Sequence, residues 1–415
     1  MLKYLVDSTI QLSAMMIVVG MIHGYVRNAY GEKTGKRMLI SICAGIAGAI
    51  AMAVMKTATN KIDTGTWNLW FYFVSCGSFL LFLIFTALGK ILKSAGKILV
   101  FILLSFITVI QMVYALADYL VYPHTMMLTE ETVVSSVFLT KLSGMLTGLI
   151  LVIVTCIAAN AVIKSLKKPE AMLFVSLAVF VTSFRQVSSA VSILLARRLI
   201  PNNHTLFQIA KFSSNNNSLF IYITLGIAVF AAVIMLLRSL HVNEPYTNPA
   251  QHRKIIYKWR MIRRWSFTLI ICAALTVFIM TAVYAIANKE VELSPIEECQ
   301  TDEENMYIPF ELVNDGHLHR FGYTTEKGTV IRVIVIQKPN SSAYGVGLDA
   351  CDICGETGYY EKDGQVVCNL CDVVMNINTI GFKGGCNPIV IDYRIENGRI
   401  IIPIEGLLEY ENEFK

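Results

Sequence analysis

The sequence has little charge, and it lacks the short motifs of the common nucleotide-dependent and hydrolytic enzymes. Only 16% of its 415 residues are charged while 55% are hydrophobic, which is too apolar for a soluble chain of this length. It contains no Walker loop, no Gly-x-Ser-x-Gly elbow and no dinucleotide fingerprint followed by an acidic residue. The missing motifs leave kinase and hydrolase activities unsupported. The apolar composition indicates that part of the chain is surrounded by lipid.

Long apolar stretches with almost no charge occupy the first two thirds of the chain. A helix of about twenty apolar residues crosses a hydrocarbon core of roughly 30 Å. We therefore predict eight transmembrane helices, at residues 9–26, 38–55, 69–88, 98–117, 142–163, 171–196, 219–237 and 266–287. The first stretch lacks a small-residue cleavage site, so we interpret it as a retained span.

Histidine and charge are scarce inside these spans. Only His23 lies within one, which argues against a haem held between paired histidines on facing helices. Arg185 lies near the middle of the sixth span, where an unpaired charge costs several kcal/mol. Either it holds the helices together or it belongs to a ligand site, and the sequence leaves both interpretations open.

The basic residues of the connections predict the orientation. The connections after spans one, three, five and seven hold 17 Lys and Arg residues, whereas the N-terminal segment and the remaining connections hold seven. Basic residues near helix ends are retained in the cytoplasm. We therefore expect a multi-pass protein of the inner cell membrane, with its N-terminus and everything after residue 287 outside the cytoplasm.

The composition changes at residue 288, so we divide the chain into a transmembrane domain, 1–287, and a second domain, 288–415. The second domain holds 22 acidic and 10 basic residues, which argues against binding of nucleic acid. The acidity indicates a solvated surface or, alternatively, attraction of cations.

The second domain also shows strand and hairpin patterns. Strand-like runs at 329–336, 365–367, 389–395 and 399–404, with hairpin signals at Asp363-Gly364 and Asn397-Gly398, predict a small β-rich fold.

Two closely spaced cysteine pairs are the strongest chemical signal. Cys351-x-x-Cys354 is followed, after thirteen residues, by Cys368-x-x-Cys371, and Cys386 comes later. Two such turns direct four thiolates at one cation, and zinc, a single iron or an iron-sulfur cluster would fit that set. Because Cys386 is a fifth thiol, either one of the five is not a ligand or the site is not a plain four-cysteine ribbon.

Other interpretations of these residues remain open. The cysteines could form two disulfides outside the cytoplasm, or exchange disulfides through one pair, and Cys299 could pair with Cys386. Cys43, Cys76, Cys156 and Cys272 lie in spans, where an isolated thiol packs as a small apolar side chain. His317 and His319 alternate on an extended segment, so they are either metal ligands projecting to one face or a solvated pair.

The tail resembles the FtrD-like membrane iron-sulfur proteins, a family of multi-span proteins associated with uptake of ferrous iron. The resemblance rests on His317-Leu-His319-Arg-Phe, on Asp349-Ala-Cys351-x-x-Cys354-Gly355 with Gly358-Tyr359, on Val367-Cys368-x-x-Cys371, and on Ile380-Gly381 leading into Gly384-Gly385-Cys386-Asn387-Pro388. These elements cover residues 315–395, while the span region adds only a compatible architecture.

The resemblance implies an iron-sulfur cluster or iron, with zinc as the alternative, held by Cys351, Cys354, Cys368, Cys371 and Cys386 with His317 and His319. It also implies an accessory role in iron uptake, beside an iron permease and a periplasmic iron-binding protein. No span contains the Arg-Glu-x-x-Glu motif expected of high-affinity iron permeases, so we assign no transport pore to the chain. Whether it acts as an electron-transfer or metal-redox component is left open by the sequence. The alternative is a non-catalytic membrane module with a structural zinc or a disulfide-stapled outer domain.

The predicted orientation can be tested by labelling. We expect a membrane-impermeant reagent to modify a tag placed after residue 415 in intact cells, because the even number of spans returns the chain to the outside. A tag that reacts only after the membrane is permeabilised would place the tail in the cytosol.

Overall fold

The first part of the chain is helical, as its hydropathy predicts. Its helices are α1 (Leu2–Tyr30), α2 (Glu32–Ala58), α3 (Thr64–Ala87), α4 (Gly89–Leu128), α5 (Ser136–Ser165), α6 (Lys168–Ala196), α7 (His204–Asn215), α8 (Asn217–Leu240), α9 (Pro249–Phe278) and, after a π-helical turn at Ile279–Val283, α10 (Tyr284–Ala287). The computed structural model describes all residues except 60–62, 129–135, 202, 243, 289–292, 340, 363, 371–372, 383–385 and 415. Two compact units are formed, Met1–Asn288 and Lys289–Lys415.

Eight helices of the described chain are long and apolar enough to cross a membrane. They are α1 to α6, α8, and α9 with its continuation to Ala287, and each coincides with one predicted span. The prediction of a polytopic helical membrane protein is therefore confirmed. The sequence analysis missed α7, whose 12 residues are too few and too polar to register as a span.

Close packing of α1 against α5 organises the helical unit. In α1, 78% of the most apolar window is buried, against half or less in the other spans. A Cβ atom on Gly20 would lie 2.3 Å from the backbone oxygen of Cys156, and one on Gly24 would lie 2.6 Å from that of Asn160. Small residues let membrane helices approach closely, so these two glycines set the distance between the helices.

His23, which the sequence analysis placed inside a span, has a structural role in this contact. The Nδ1 atom of His23 lies 2.7 Å from the side-chain nitrogen of Asn160, and its Nε2 atom lies 3.0 Å from the backbone oxygen of Gly35. His23 therefore links α1 to α5 and to α2. Its two ring nitrogens are engaged within the protein.

The second unit consists of short antiparallel strands, as expected of a small β-rich domain. They are β1 (Gln300–Thr301), β2 (Asn305–Pro309), β3 (His319–Thr324), β4 (Val330–Gln337), β5 (Tyr344–Leu348), β6 (Tyr359–Lys362), β7 (Gln365–Cys368), β8 (Val374–Met375), β9 (Arg394–Glu396) and β10 (Arg399–Pro403). They form three sheets, β1-β2-β10-β9, β3-β4-β5 and β6-β7-β8. A short helix, α11 (Ile404–Leu408), follows β10.

Three of the four strand-like runs become strands, namely β4, β7 and β10. The run at 389–395 does so only at its end, in β9, because Ile389 instead exchanges backbone hydrogen bonds with Leu348 and Ala350 at 2.8 and 3.0 Å. The β9–β10 hairpin is confirmed, with positive φ angles at Asn397 and Gly398. In the β6–β7 hairpin Gly364 has a φ of +74°, while Asp363 lies outside the described residues.

A buried ion pair joins the strands of the second unit around Asp349. The Asp349 carboxylate is fully buried and accepts hydrogen bonds from the Nε atoms of Arg320 and Arg332 at 2.8 and 3.0 Å. Its other oxygen accepts the backbone N–H of Tyr359 at 2.8 Å. Arg320, with 1% of its surface exposed, also donates to Ser294 and to the backbone oxygen of Tyr359. These bonds tie β3 and β4 to the start of β6.

Substituting Gly20→Ala should destabilise the helical unit by about 1–3 kcal/mol, because the added Cβ collides with backbone that cannot rotate away. The measurement is thermal unfolding of the full-length protein in detergent. Gly226→Ala in α8 is the matched control, since a Cβ there meets nothing within 4 Å. Equal midpoints for the two variants would show that the α1–α5 contact is not close.

Substituting Asp349→Asn should lower the free energy of unfolding of the second unit by about 3–5 kcal/mol, because two buried or half-buried guanidinium groups lose their counter-charge. Hydrogen exchange of peptides from β4 and β5 in the full-length protein measures this change. The control, Arg394→Gln, breaks an exposed pair at 3.6 Å and should cost less than about 1 kcal/mol. Similar exchange in both variants would contradict a supporting role for Asp349.

Candidate metal centre

The first cysteine pair lies in a tight turn that directly follows β5. The backbone N–H of Cys351 donates to the oxygen of Gly355 at 3.2 Å, and the N–H of Gly355 donates back at 2.9 Å. Gly355 has a φ of +65°, a conformation that glycine adopts without a steric penalty. The turn also lets the backbone N–H of Cys354 donate to the Cys351 sulfur at 3.2 Å.

Three sulfur atoms meet at this turn. The Sγ atoms of Cys351, Cys354 and Cys386 all lie within 4.8 Å of one another. Cys351 is buried, while the other two are half-buried. Two sulfurs from the turn and one from Cys386 thus form a group of three thiol ligands, partly shielded from water.

Two glycines of β5 allow the segment that contains Cys386 to approach. A Cβ atom on Gly345 would lie 2.8 Å from the Ile380 side chain, and one on Gly347 would lie 2.8 Å from that of Pro388. The phenol of Tyr359 then donates to the backbone oxygen of Cys386 at 2.6 Å. Close packing on both sides and this hydrogen bond bring Cys386 to the first pair across more than thirty residues.

The second pair is described only in part. Cys368 ends β7, has 1% of its surface exposed and lies opposite Tyr359 in the β6–β7 ladder. Burial raises the pKa of the Tyr359 phenol, and the charges of Cys351, Cys368 and Cys386 raise it further. Cys368 packs in the same buried cluster as Cys351 and Tyr359, but its sulfur is not part of the three-sulfur group. Tyr359 stays protonated as a donor beside it. Cys371 lies outside the described residues, so its role as a ligand stays a prediction.

Cys299 is separate from this cluster. It packs against the core formed by β2, β4, β5 and β10, it forms no disulfide, and burial raises the pKa of its thiol. The pairing with Cys386 that the sequence left open is therefore absent. Cys351 likewise forms no disulfide and contributes to the three-sulfur group instead.

The two predicted histidine ligands contact carboxylates. The Nδ1 atom of His317 lies 2.9 Å from Glu361, and its backbone N–H donates to Asp315. Both ring nitrogens of His319 are engaged, Nδ1 by Glu297 at 3.0 Å and Nε2 by Asp315 at 2.8 Å. Ligation of a metal by either ring stays a prediction. For His319 it would require a carboxylate to be displaced, whereas the described contact of His317 engages its Nδ1 atom alone.

Neighbouring carboxylates raise the pKa of both imidazoles. The hydrogen bond to Glu361 and its negative charge raise the pKa of His317. Burial alone would lower the pKa of His319, but its hydrogen bonds to Asp315 and Glu297 together outweigh burial and raise the pKa. Contacts with neighbouring carboxylates therefore account for the positions of both rings without a metal.

The spacing of the three sulfurs suits a metal. Thiolates that bind one tetrahedral ion at about 2.3 Å must lie about 3.8 Å apart. The three sulfurs, all within 4.8 Å of one another, satisfy that condition without a large rearrangement. The same geometry lets the group hold a single ion or contribute thiolates to an iron-sulfur cluster.

Comparison with known families agrees with this geometry. Residues 313–414 match the family model described as "Membrane iron-sulfur containing protein FtrD-like", and this range includes the three-sulfur group, both histidines and the Arg320–Asp349 pair. No curated protein and no solved structure matches the chain. The resemblance seen in the sequence is thus confirmed for the tail, and the C-terminal region of this multi-pass membrane protein is similar to the FtrD-like membrane iron-sulfur proteins.

Proposed function

We propose that the protein is an accessory component of an iron uptake system, which binds iron or an iron-sulfur cluster and passes electrons or iron at the outer face of the membrane. The observation that carries this proposal is the convergence of the Cys351, Cys354 and Cys386 sulfurs within 4.8 Å. The family match supports a membrane-bound, iron-related role. The outward direction rests on the basic residues of the connections.

The chain's own residues would hold and shield such a centre. Cys351, Cys354 and Cys386 are the first ligands, and Cys368 and Cys371 complete the predicted set. A thiolate-bound iron changes its oxidation state by one electron, which is the chemistry that interconverts ferric and ferrous iron. Burial of Cys351 excludes water from one side, and the protonated Tyr359 stabilises negative charge on the neighbouring sulfurs.

Exposed apolar side chains surround the ligand loops and fit a transient partner. Ile353 is 68% exposed, Leu370 is 57% exposed and Phe382 is 61% exposed. Each lies within four residues of a predicted cysteine ligand. Encounters that transfer electrons use small interfaces, and exposed apolar side chains next to a redox centre suit such an interface. The partners we propose are an iron permease and a periplasmic iron-binding protein.

A structural zinc is the second candidate, because Cys351 is 1% exposed and Cys368 ends β7 of the β6-β7-β8 sheet. In that case the metal would stabilise the domain and take no part in transfer. The two candidates differ in the metal bound and in its response to a reductant.

Metal analysis of the full-length protein, purified without oxygen, tests the proposal. We expect iron, with a visible absorption and an electron paramagnetic resonance signal that respond reversibly to dithionite. Cys351→Ser, Cys354→Ser and Cys386→Ser should each lose most of the metal, because a hydroxyl is a poor substitute for a soft thiolate ligand. Cys299→Ser is the matched control and should retain it, since Cys299 lies in a separate cluster.

The outcomes separate the candidates. A colourless protein with one zinc per chain would support the structural role and reject redox work. A protein that binds no metal while its thiols are reduced would reject both roles. Equal metal content in Cys386→Ser and Cys299→Ser would remove Cys386 from the site.

A further inference from the structure

We propose that two adjoining cavities between α6 and α7 bind the head group of an anionic phospholipid, through Arg185, Arg198 and Lys211. This site lies in the helical unit and is independent of the metal centre. The proposal begins from Arg185, the charged residue that the sequence analysis found inside a span.

Arg185 has no counter-charge within the described chain. It lies eleven residues before the end of α6 at Ala196, or about 16 Å along the helix, well inside the span. It is half-buried and makes no hydrogen bond or ion pair with any described residue. A charge at that depth is costly unless it is paired or hydrated.

The cavity beside Arg185 is polar and has a volume of about 310 Å³. Besides the guanidinium group it is lined by Ser189, Ser192, Ser213, Ser214 and Asn217, together with two apolar residues. Guanidinium, hydroxyl and amide groups donate hydrogen bonds to oxyanions. No carboxylate is among the described residues that line it, so the cavity is suited to an anion.

A second cavity, of about 800 Å³, shares Ser192, Ala210 and Ser214 with the first. It adds two cations, Arg198 and Lys211, neither of which is paired with a described residue. The rest of its lining is largely apolar: Leu195, Ala196, Leu199, Ile200, Pro201 and Phe207, with Asn215. The combined site therefore has a cationic, hydrogen-bonding part and an apolar part, which matches a phosphate attached to an acyl-chain lipid.

A neighbouring cation and the three cations of another cavity have carboxylate partners. Arg197, next to Arg198, binds the Asp63 carboxylate at 2.6 Å. A different cavity, of about 750 Å³, is lined by Arg27, Lys164 and Lys258. Those three are paired with Glu32 or Glu244, so that cavity needs no external anion. Basic pockets between membrane helices are recognised sites for phospholipid head groups.

The test uses the full-length protein, delipidated in a neutral detergent. Phosphatidylglycerol, phosphatidylcholine and inorganic phosphate are titrated separately, and binding is measured by native mass spectrometry and by the shift in thermal midpoint. We expect phosphatidylglycerol to bind and raise the midpoint, with little effect of the other two. Arg185→Gln should weaken phosphatidylglycerol binding about tenfold, because one charge-assisted contact is lost.

Arg253→Gln is the matched control, since it removes an equal charge from an exposed residue that does not line either cavity. It should bind as the unaltered protein does. If Arg185→Gln does not fold, the double variant Arg198→Gln with Lys211→Gln takes its place, with the same expected loss. Equal binding of both lipids, an equal effect of inorganic phosphate, or identical behaviour of the cavity and control variants would each overturn the proposal.

Discussion

The buried carboxylate of Asp349 is the constraint on which the C-terminal domain depends. It satisfies Arg320 and Arg332 at once, and it also fixes the backbone of Tyr359. Arg320 and Arg332 come from β3 and β4, while Asp349 and Tyr359 lie on either side of the cysteine turn. The ion pair therefore fixes two strands and both ends of the segment that contains the turn.

The backbone of the loop between Cys354 and β6 also lies close to Asp349. Gly358 has a φ of +78°, and a Cβ atom there would lie 2.9 Å from an Asp349 oxygen. Arg332 reaches the backbone oxygen of Glu356 on the same loop. The loop that joins Cys354 to β6 is thus held at several points, and Tyr359, which follows it, holds Cys386 in turn. The sulfurs converge because neighbouring backbone is fixed, so no single contact accounts for the site.

Local patterns in the sequence predicted the spans and the first cysteine turn. Features that depend on contacts between distant residues were missed. Hydropathy over twenty residues located every span, and the Cys-x-x-Cys spacing located the first turn of the site. β5 was not predicted, because Gly345 and Gly347 interrupt any alternating pattern and matter only for what packs against them. His319 was predicted as a ligand, yet one of its partners, Glu297, is 22 residues away, and no periodicity shows such a contact.

One physical rule connects the two units, although their surroundings differ. A charge removed from water needs a counter-charge or donors, because its desolvation is costly. The C-terminal domain supplies them internally around Asp349, and the helical unit does the same where Glu170 binds Arg238 at 2.7 Å. Arg185 breaks this pattern among the described residues, although hydroxyl groups and a cavity lie beside it. The helical unit therefore places hydrogen-bond donors around this cation without supplying an anion. The surrounding membrane can supply one, because its phospholipids carry a phosphate next to apolar chains.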